Sequence, residues 1–267
     1  MKGWIIELLL IKSIAVVSLV LALSFIAEKL SPKISGILSG LPVGSSITLL
    51  FFAIENGVDY VTKVALYNIH GLFAALAFSI GYYISTFYKG KFEIFLSLLI
   101  SFISYLIIAF LLAYIPPHIV FTPLIVISLM ITASIYFAKK ENFAIDKKIR
   151  TSISDIFFRS LLTISIFLII SSLPKYVPSN IAGIFSAFPT ILLPLLLIIH
   201  FRHSNLQART IIKNTPFGLS SVVIYSLIVY FTYATLGITL GTIIALISSV
   251  LYVYIQGKVL KALKLIK

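Results

Sequence analysis

The chain has no cysteine among its 267 residues, and 8 acidic residues stand against 21 basic ones. Lack of thiols removes disulfides, thiolate metal sites and cysteine nucleophiles together. Charge of either sign is scarce, at 11% of residues, while 60% are hydrophobic and the mean hydropathy is +1.13. That balance excludes a soluble globular domain. The formal net charge of +13 would suggest nucleic acid in a soluble protein. Here the bases fall in short clusters between apolar runs, where they act as topology signals, so nucleic acid is not an expected partner. HExxH, GxSxG, a phosphate loop and a paired-carboxylate constellation are also missing, so neither enzymatic activity nor a cofactor is expected. His200 and His203 are too few for a metal site.

What is present is a series of apolar runs, each of about 20 residues, enough to cross a hydrocarbon layer about 30 Å thick as a helix. Nine are expected, near 9–27, 34–54, 64–88, 94–115, 118–138, 156–173, 180–200, 215–235 and 237–256. At Ile115-Pro116-Pro117-His118 a helix break separates the fourth and fifth, whereas a re-entrant reading leaves eight. Nine spans put 17 bases on one side, in the segments after spans 2n−1 and in the tail, against Lys2, Lys12, Lys63 and Lys175 on the other. By the positive-inside rule the N-terminus is outside and the C-terminus cytoplasmic, in a cell membrane. The first 30 residues resemble a cleaved signal, with Lys2 before an apolar stretch. The repeat described next argues that they are retained.

Sliding the chain by 147 residues aligns 13–83 with 160–230 without a gap, and fifteen positions are identical. Composition alone gives about six. The densest block sets Ile34 to Pro42 (ISGILSGLP) over Ile181 to Pro189 (IAGIFSAFP). Spans 1 to 4 then correspond to spans 6 to 9. The odd fifth span starts the second unit from the opposite side, so the expected fold is an all-α integral membrane protein with two inverted four-helix repeats. Its parts are 1–115 (first repeat), 116–150 (linking helix and basic loop), 151–256 (second repeat) and 257–267 (basic amphipathic tail).

Pro42 and Pro189 interrupt spans 2 and 7 about 12 Å from opposite faces, which brings the two breaks within about 6 Å of each other along the normal. Each proline removes an amide donor and frees a carbonyl, Leu38 or Phe185. Paired interrupted helices in inverted repeats point to a transport site, since exposed backbone is tolerated where it lines a cavity. The alternative is a pair of ordinary proline kinks. The expected cavity residues are Gly40, Pro42, Ser45, Ser46, Ser186, Pro189 and Thr190, with His70 as the nearest titratable group or a satisfied interhelical histidine. Gly36, Gly40 and Gly44 form a small-residue stripe suited to close crossing of spans 2 and 7. Lys12 with Glu7, and Asp155 with Arg159, are candidate gates or plain ion pairs. Glu55 is expected to snorkel at the outer interface.

The stretch SGILSGLPVGSSITLLFFAIENG (Ser35 to Gly57), and more weakly AGIFSAFPTILLPLLLIIHFR (Ala182 to Arg202), resembles uncharacterised prokaryotic multi-span membrane proteins. The second stretch also resembles the small GlpM-type membrane proteins. The matching positions are Gly36, Gly40, Pro42, Glu55 and Gly57, then Gly183, Phe188 and Pro189, with Arg202 where the first half has Glu55. This resemblance implies a duplicated small-membrane-protein architecture and no substrate. The functional expectation is a secondary transporter or facilitator of a small polar or anionic solute, with the lipid bilayer as surroundings. An ion channel and a noncatalytic scaffold or lipid-handling protein are the alternatives.

Overall fold

Two glycines at positive φ, Gly57 and Gly237, set two of the turns between helices in this protein. A computed structural model describes residues 10–14, 16–18, 31–143, 152–202 and 204–266. Among them the secondary structure is helical, with no strand. Residues 10–14 and 16–18 are helical, and are followed by α1 (Pro32–Ser39), α2 (Val43–Asn56), α3 (Val58–Ser85), α4 (Glu93–Ala113) and α5 (Phe121–Ala138). The second half holds α6 (Ile153–Ser172), a short 3-10 turn, α7 (Ser179–Ser186), α8 (Leu192–Arg202) and α9 (Asn205–Ala262).

Gly57 (φ 89°) joins α2 to α3 with no intervening loop. The Phe52 and Tyr60 rings meet across it at 6.1 Å, so the two helices run back along each other. Gly237 (φ 79°) divides α9 in the same way. Tyr233 Oη and Thr242 Oγ1 lie 2.6 Å apart, and Ser220 donates to Gln256 Oε1 at 2.7 Å, so α9 is an antiparallel hairpin of two helices. An L-residue rarely adopts that φ, and the sites are otherwise open, so the backbone angle is what requires glycine. The Pro116-Pro117 turn ends α4 and separates it from α5. At the start of α6, Ser152 and Asp155 form a reciprocal capping box.

Among the described residues six segments are long and apolar enough to cross a bilayer: Pro32–Asn56, Val58–Ser85, Glu93–Ala113, Phe121–Ala138, Ile153–Lys175 and Asn205–Ala262. The last contains the hairpin, so the eighth and ninth expected spans are both in it. α9 runs on through Ala262, so residues 257–262 of the basic tail are helical.

α3 is at the centre, with 16 buried residues from Val61 to Ser85. α9 packs beside it, α7 against α3, and α1 against α9. α4, α5, α6 and the second arm of α9 surround this core. Their outer faces carry large bare apolar side chains such as Phe110, Phe121, Ile169 and Ile247. Such a belt is unfavourable in water and suits surroundings of lipid.

Candidate functional site

The two proline breaks share a set of turn hydrogen bonds. In the first, Gly40 N donates to Ile37 O (3.1 Å), Leu41 N to Leu38 O (3.1 Å), Val43 N to Leu41 O (2.7 Å) and Ser46 N to Pro42 O (2.6 Å). Each bond recurs 147 residues on: Ala187 N to Ile184 O (3.2 Å), Phe188 N to Phe185 O (3.0 Å), Thr190 N to Phe188 O (2.7 Å) and Leu193 N to Pro189 O (3.0 Å). Ser39 Oγ donates to Gly36 O (2.9 Å), and its counterpart Ser186 Oγ to Gly183 O (2.6 Å). One expectation is corrected here. The Leu38 and Phe185 carbonyls are not free, because the amide preceding each proline turns back to them in a tighter turn.

The glycines of the matched blocks make reciprocal contacts. A methyl group added at Gly71 would stand 2.2 Å from Ile184 O, and one at Gly218 would stand 2.1 Å from Ile37 O. One at Gly36 would meet Ile211 O at 2.3 Å, and one at Gly183 would meet Val64 O at 2.9 Å. Each pair maps onto the other under the same shift of 147. α1 therefore presses on α9 and α7 on α3, each through glycine. This corrects the expected crossing of spans 2 and 7 along the small-residue stripe. Gly36 and Gly40 face α9, and only Gly44 faces the second break, where an added methyl would lie 2.6 Å from Thr190 Oγ1.

The breaks meet directly. Ser45, in the first turn of α2, donates Oγ–H to the Ser186 carbonyl at the end of α7 (3.2 Å). Asn68 of α3 donates Nδ2–H to Ser186 Oγ (2.6 Å) and approaches Ser45 Oγ (3.4 Å), while its Oδ1 accepts from Ser226 of α9 (2.8 Å). All four residues, and Thr190, are buried. Of the residues expected to line a cavity, Ser45 and Ser186 thus hydrogen-bond to each other, and Asn68 joins them. Ser46 is buried and turns its hydroxyl to Val43 O within α2 (2.9 Å).

His70 lies two residues beyond Asn68, about 200° round the helix. Its ring meets Tyr67 and Phe73 edge-on, and its buried Nδ1 has no hydrogen-bond partner among the described residues. The polar side chain that α3 brings to the crossing is therefore Asn68. Its sequence signal was a lone asparagine inside an apolar run, obscured because its counterpart is Thr215.

The gate candidates pair differently from expectation. Lys12 forms a buried ion pair with Glu55 of α2 and donates to Ser171 of α6 (3.3 Å), so Glu55 does not snorkel. Glu7 lies outside the described residues. Asp155 pairs with Arg202 at the end of α8 (2.8 Å), reaching across helices where the i,i+4 contact with Arg159 was expected. Arg159 is buried in α6. Glu55 and Arg202 are themselves 147 residues apart, so equivalent helix ends are tied by ion pairs of reversed polarity.

A second polar chain was not foreseen. Tyr82 Oη is 2.9 Å from His200 Nδ1, and His200 Nε2 is 3.3 Å from Glu93 Oε1. These residues come from α3, α8 and α4.

Compared with known protein families, with curated proteins and with solved structures, the chain matches none.

Proposed function

We propose that the chain is a secondary transporter or facilitator of a small polar or anionic solute, built from two inverted repeats and working at the junction of the two broken helices. The observation that carries this reading is the contact between the breaks. Two helices are interrupted with the same four turn hydrogen bonds, and their interruptions join through Ser45, Ser186 and Asn68. A packing kink has no need of a shared polar centre, and burying hydroxyls and an amide costs free energy unless every group is satisfied.

The reciprocal glycine contacts support a local twofold relation, since a contact that maps onto itself on exchange of partners is isologous. An odd number of crossings between the repeats makes that relation an inversion. The polar groups at the junction satisfy one another in a closed form. Admitting solute requires them to exchange these partners for the solute's own groups, and the half-helix starts at Val43 and Leu192 offer partial positive charge to an anion. The ion pairs Lys12–Glu55 and Asp155–Arg202 suit the two gates, one for each side.

Ser45→Cys and Thr190→Cys, made in the cysteine-free chain and reconstituted in vesicles, test the proposal with membrane-impermeant thiol reagents. Reaction from one or both sides is the expected result. If neither site reacts while surface cysteines do, the breaks are packed kinks and the reading falls.

A second reading, a noncatalytic lipid-handling protein, is favoured by one feature. An apolar groove of about 410 Å³ runs between α4 and α7, lined by residues including Leu106, Phe110, Ile181 and Phe185. Copurified lipid without solute flux would select it.

A further inference from the structure

The Tyr82, His200 and Glu93 side chains make a continuous polar chain through otherwise apolar packing. Glu93 is partly open, with 29% of its side chain exposed, whereas the His200 side chain is fully buried. Tyr82 is fully buried too, stacked on Phe78 at 6.4 Å. Tyr82 belongs to the apolar cluster of α3, α4, α6, α7, α8 and α9.

The repeat supplies an internal control for whether packing alone demands these groups. Under the shift of 147, His200 corresponds to Ala53 and Tyr82 to Val229. Ala53 and Val229 are both buried in a single apolar cluster. The equivalent niche is thus filled by two aliphatic side chains in the other half. Buried ionisable groups in a niche that tolerates alanine and valine carry a desolvation cost that packing does not explain.

We propose that Tyr82, His200 and Glu93 form a proton-binding site, and that the proton held there is the coupling ion of transport. The second half of this statement rests on the transporter reading above. With Glu93 ionised, His200 Nε2 must carry hydrogen to face the carboxylate, so Nδ1 is the acceptor and Tyr82 Oη–H the donor. Binding one proton at Nδ1 gives an imidazolium paired with the Glu93 carboxylate. Nδ1–H then donates to Tyr82 Oη, and the tyrosine hydrogen loses its acceptor and must turn elsewhere. It turns among apolar rings, which makes the tyrosine's old position unfavourable. Phe78, stacked on Tyr82, touches Phe188 at 6.1 Å, and Phe188 directly precedes Pro189 in the second break. Movement at Tyr82 therefore reaches the junction through two rings.

The charged groups of the surrounding elements are otherwise engaged. From α6, Asp155 holds Arg202. From α9, Arg209 binds the Thr86 carbonyl (2.6 Å) and covers the Phe87 ring (3.8 Å). From the α3–α4 loop, Lys89 and Lys91 are exposed. Glu93 is thus the carboxylate that faces the imidazole.

Two measurements test the proposal. First, nuclear magnetic resonance of ring-labelled histidine in micelles follows four histidines, with the His200 signal assigned by its loss in His200→Gln. It should shift with pH as the ring takes up a proton, and Glu93→Gln should weaken that proton affinity at least about tenfold. A His200 signal that stays unchanged from pH 4.5 to 9 overturns the proton site. Second, thiol reactivity at Ser45→Cys and Thr190→Cys is compared from each side across the same pH range. The inside-to-outside ratio should change several-fold, and the change should vanish in His200→Gln and in Tyr82→Phe while both variants keep the parental melting profile. Reactive cysteines with an unaltered pH response in those variants overturn the coupling and leave the transporter reading standing. Cysteines that never react overturn the transporter reading, and the proton site is then judged on the resonance titration alone.

Discussion

Ser226 donates its hydroxyl to Asn68 Oδ1 at 2.8 Å, and in doing so orients the amide so that Nδ2 faces both helix breaks. A serine of one repeat thereby sets the hydrogen-bonding polarity at the junction of both. Ser79, its counterpart in the other repeat, donates to Ala75 O within its own helix (2.9 Å), so the two halves differ at this point.

Asn68→Leu removes the group that joins Ser186, Ser45 and Ser226, leaving three buried hydroxyls short of a partner. A stability loss of about 1–2 kcal/mol is expected. Thermal unfolding in detergent measures it, and Ser226→Ala should show a smaller loss in the same direction.

The two ion pairs should respond unequally. Glu55→Gln leaves Lys12 buried without its counter-charge, and the expected cost is about 3–5 kcal/mol. Arg202 is 55% exposed in its side chain, so Arg202→Gln should cost roughly 0–1 kcal/mol. Equal melting shifts for the two variants would contradict the assigned burial. Lys12→Met with Glu55→Leu should recover much of the stability lost in Glu55→Gln, because no buried charge remains.

Reciprocal packing makes a paired prediction. Gly71→Ala and Gly218→Ala each drive a methyl to within about 2 Å of a backbone carbonyl, at Ile184 and Ile37. Both should destabilise by about 1–3 kcal/mol. Gly44→Ala meets a side-chain hydroxyl, Thr190 Oγ1, which rotation can move aside, so it should be milder. Expression and melting of the three variants give the order.

Orientation is tested separately. Terminal reporter fusions should read outside at the N-terminus and cytoplasmic at the C-terminus, following the distribution of bases. Two cytoplasmic readings would require an even number of spans and remove the inversion.

The residues of the junction were legible to different degrees. Pro42 and Pro189 announced the breaks because they stand at matched positions of the repeat, whereas Pro216 is carried inside α9 without ending it. Ser45, Ser186 and Thr190 followed by adjacency. Asn68 did not: helical spacing leaves open which face of α3 turns inward when apolar side chains cover most of the helix. Tyr82, His200 and Glu93 were beyond reach for a related reason, since Tyr82 is 118 residues and Glu93 is 107 residues from His200.

By itself the sequence determined the helical class, the positions of the apolar segments, the two breaks and the 147-residue correspondence. Each of these depends on local chemistry: hydropathy over about 20 residues, a missing amide hydrogen, or an identity at a constant offset. Tertiary structure decided which surfaces meet. It placed the glycines of α1 against α9 and those of α7 against α3, paired Lys12 with Glu55 and Asp155 with Arg202, and joined His200 to Tyr82 and Glu93. The physical reason is that polar groups in apolar surroundings must find partners somewhere, while the choice among distant partners depends on how helices approach and cross.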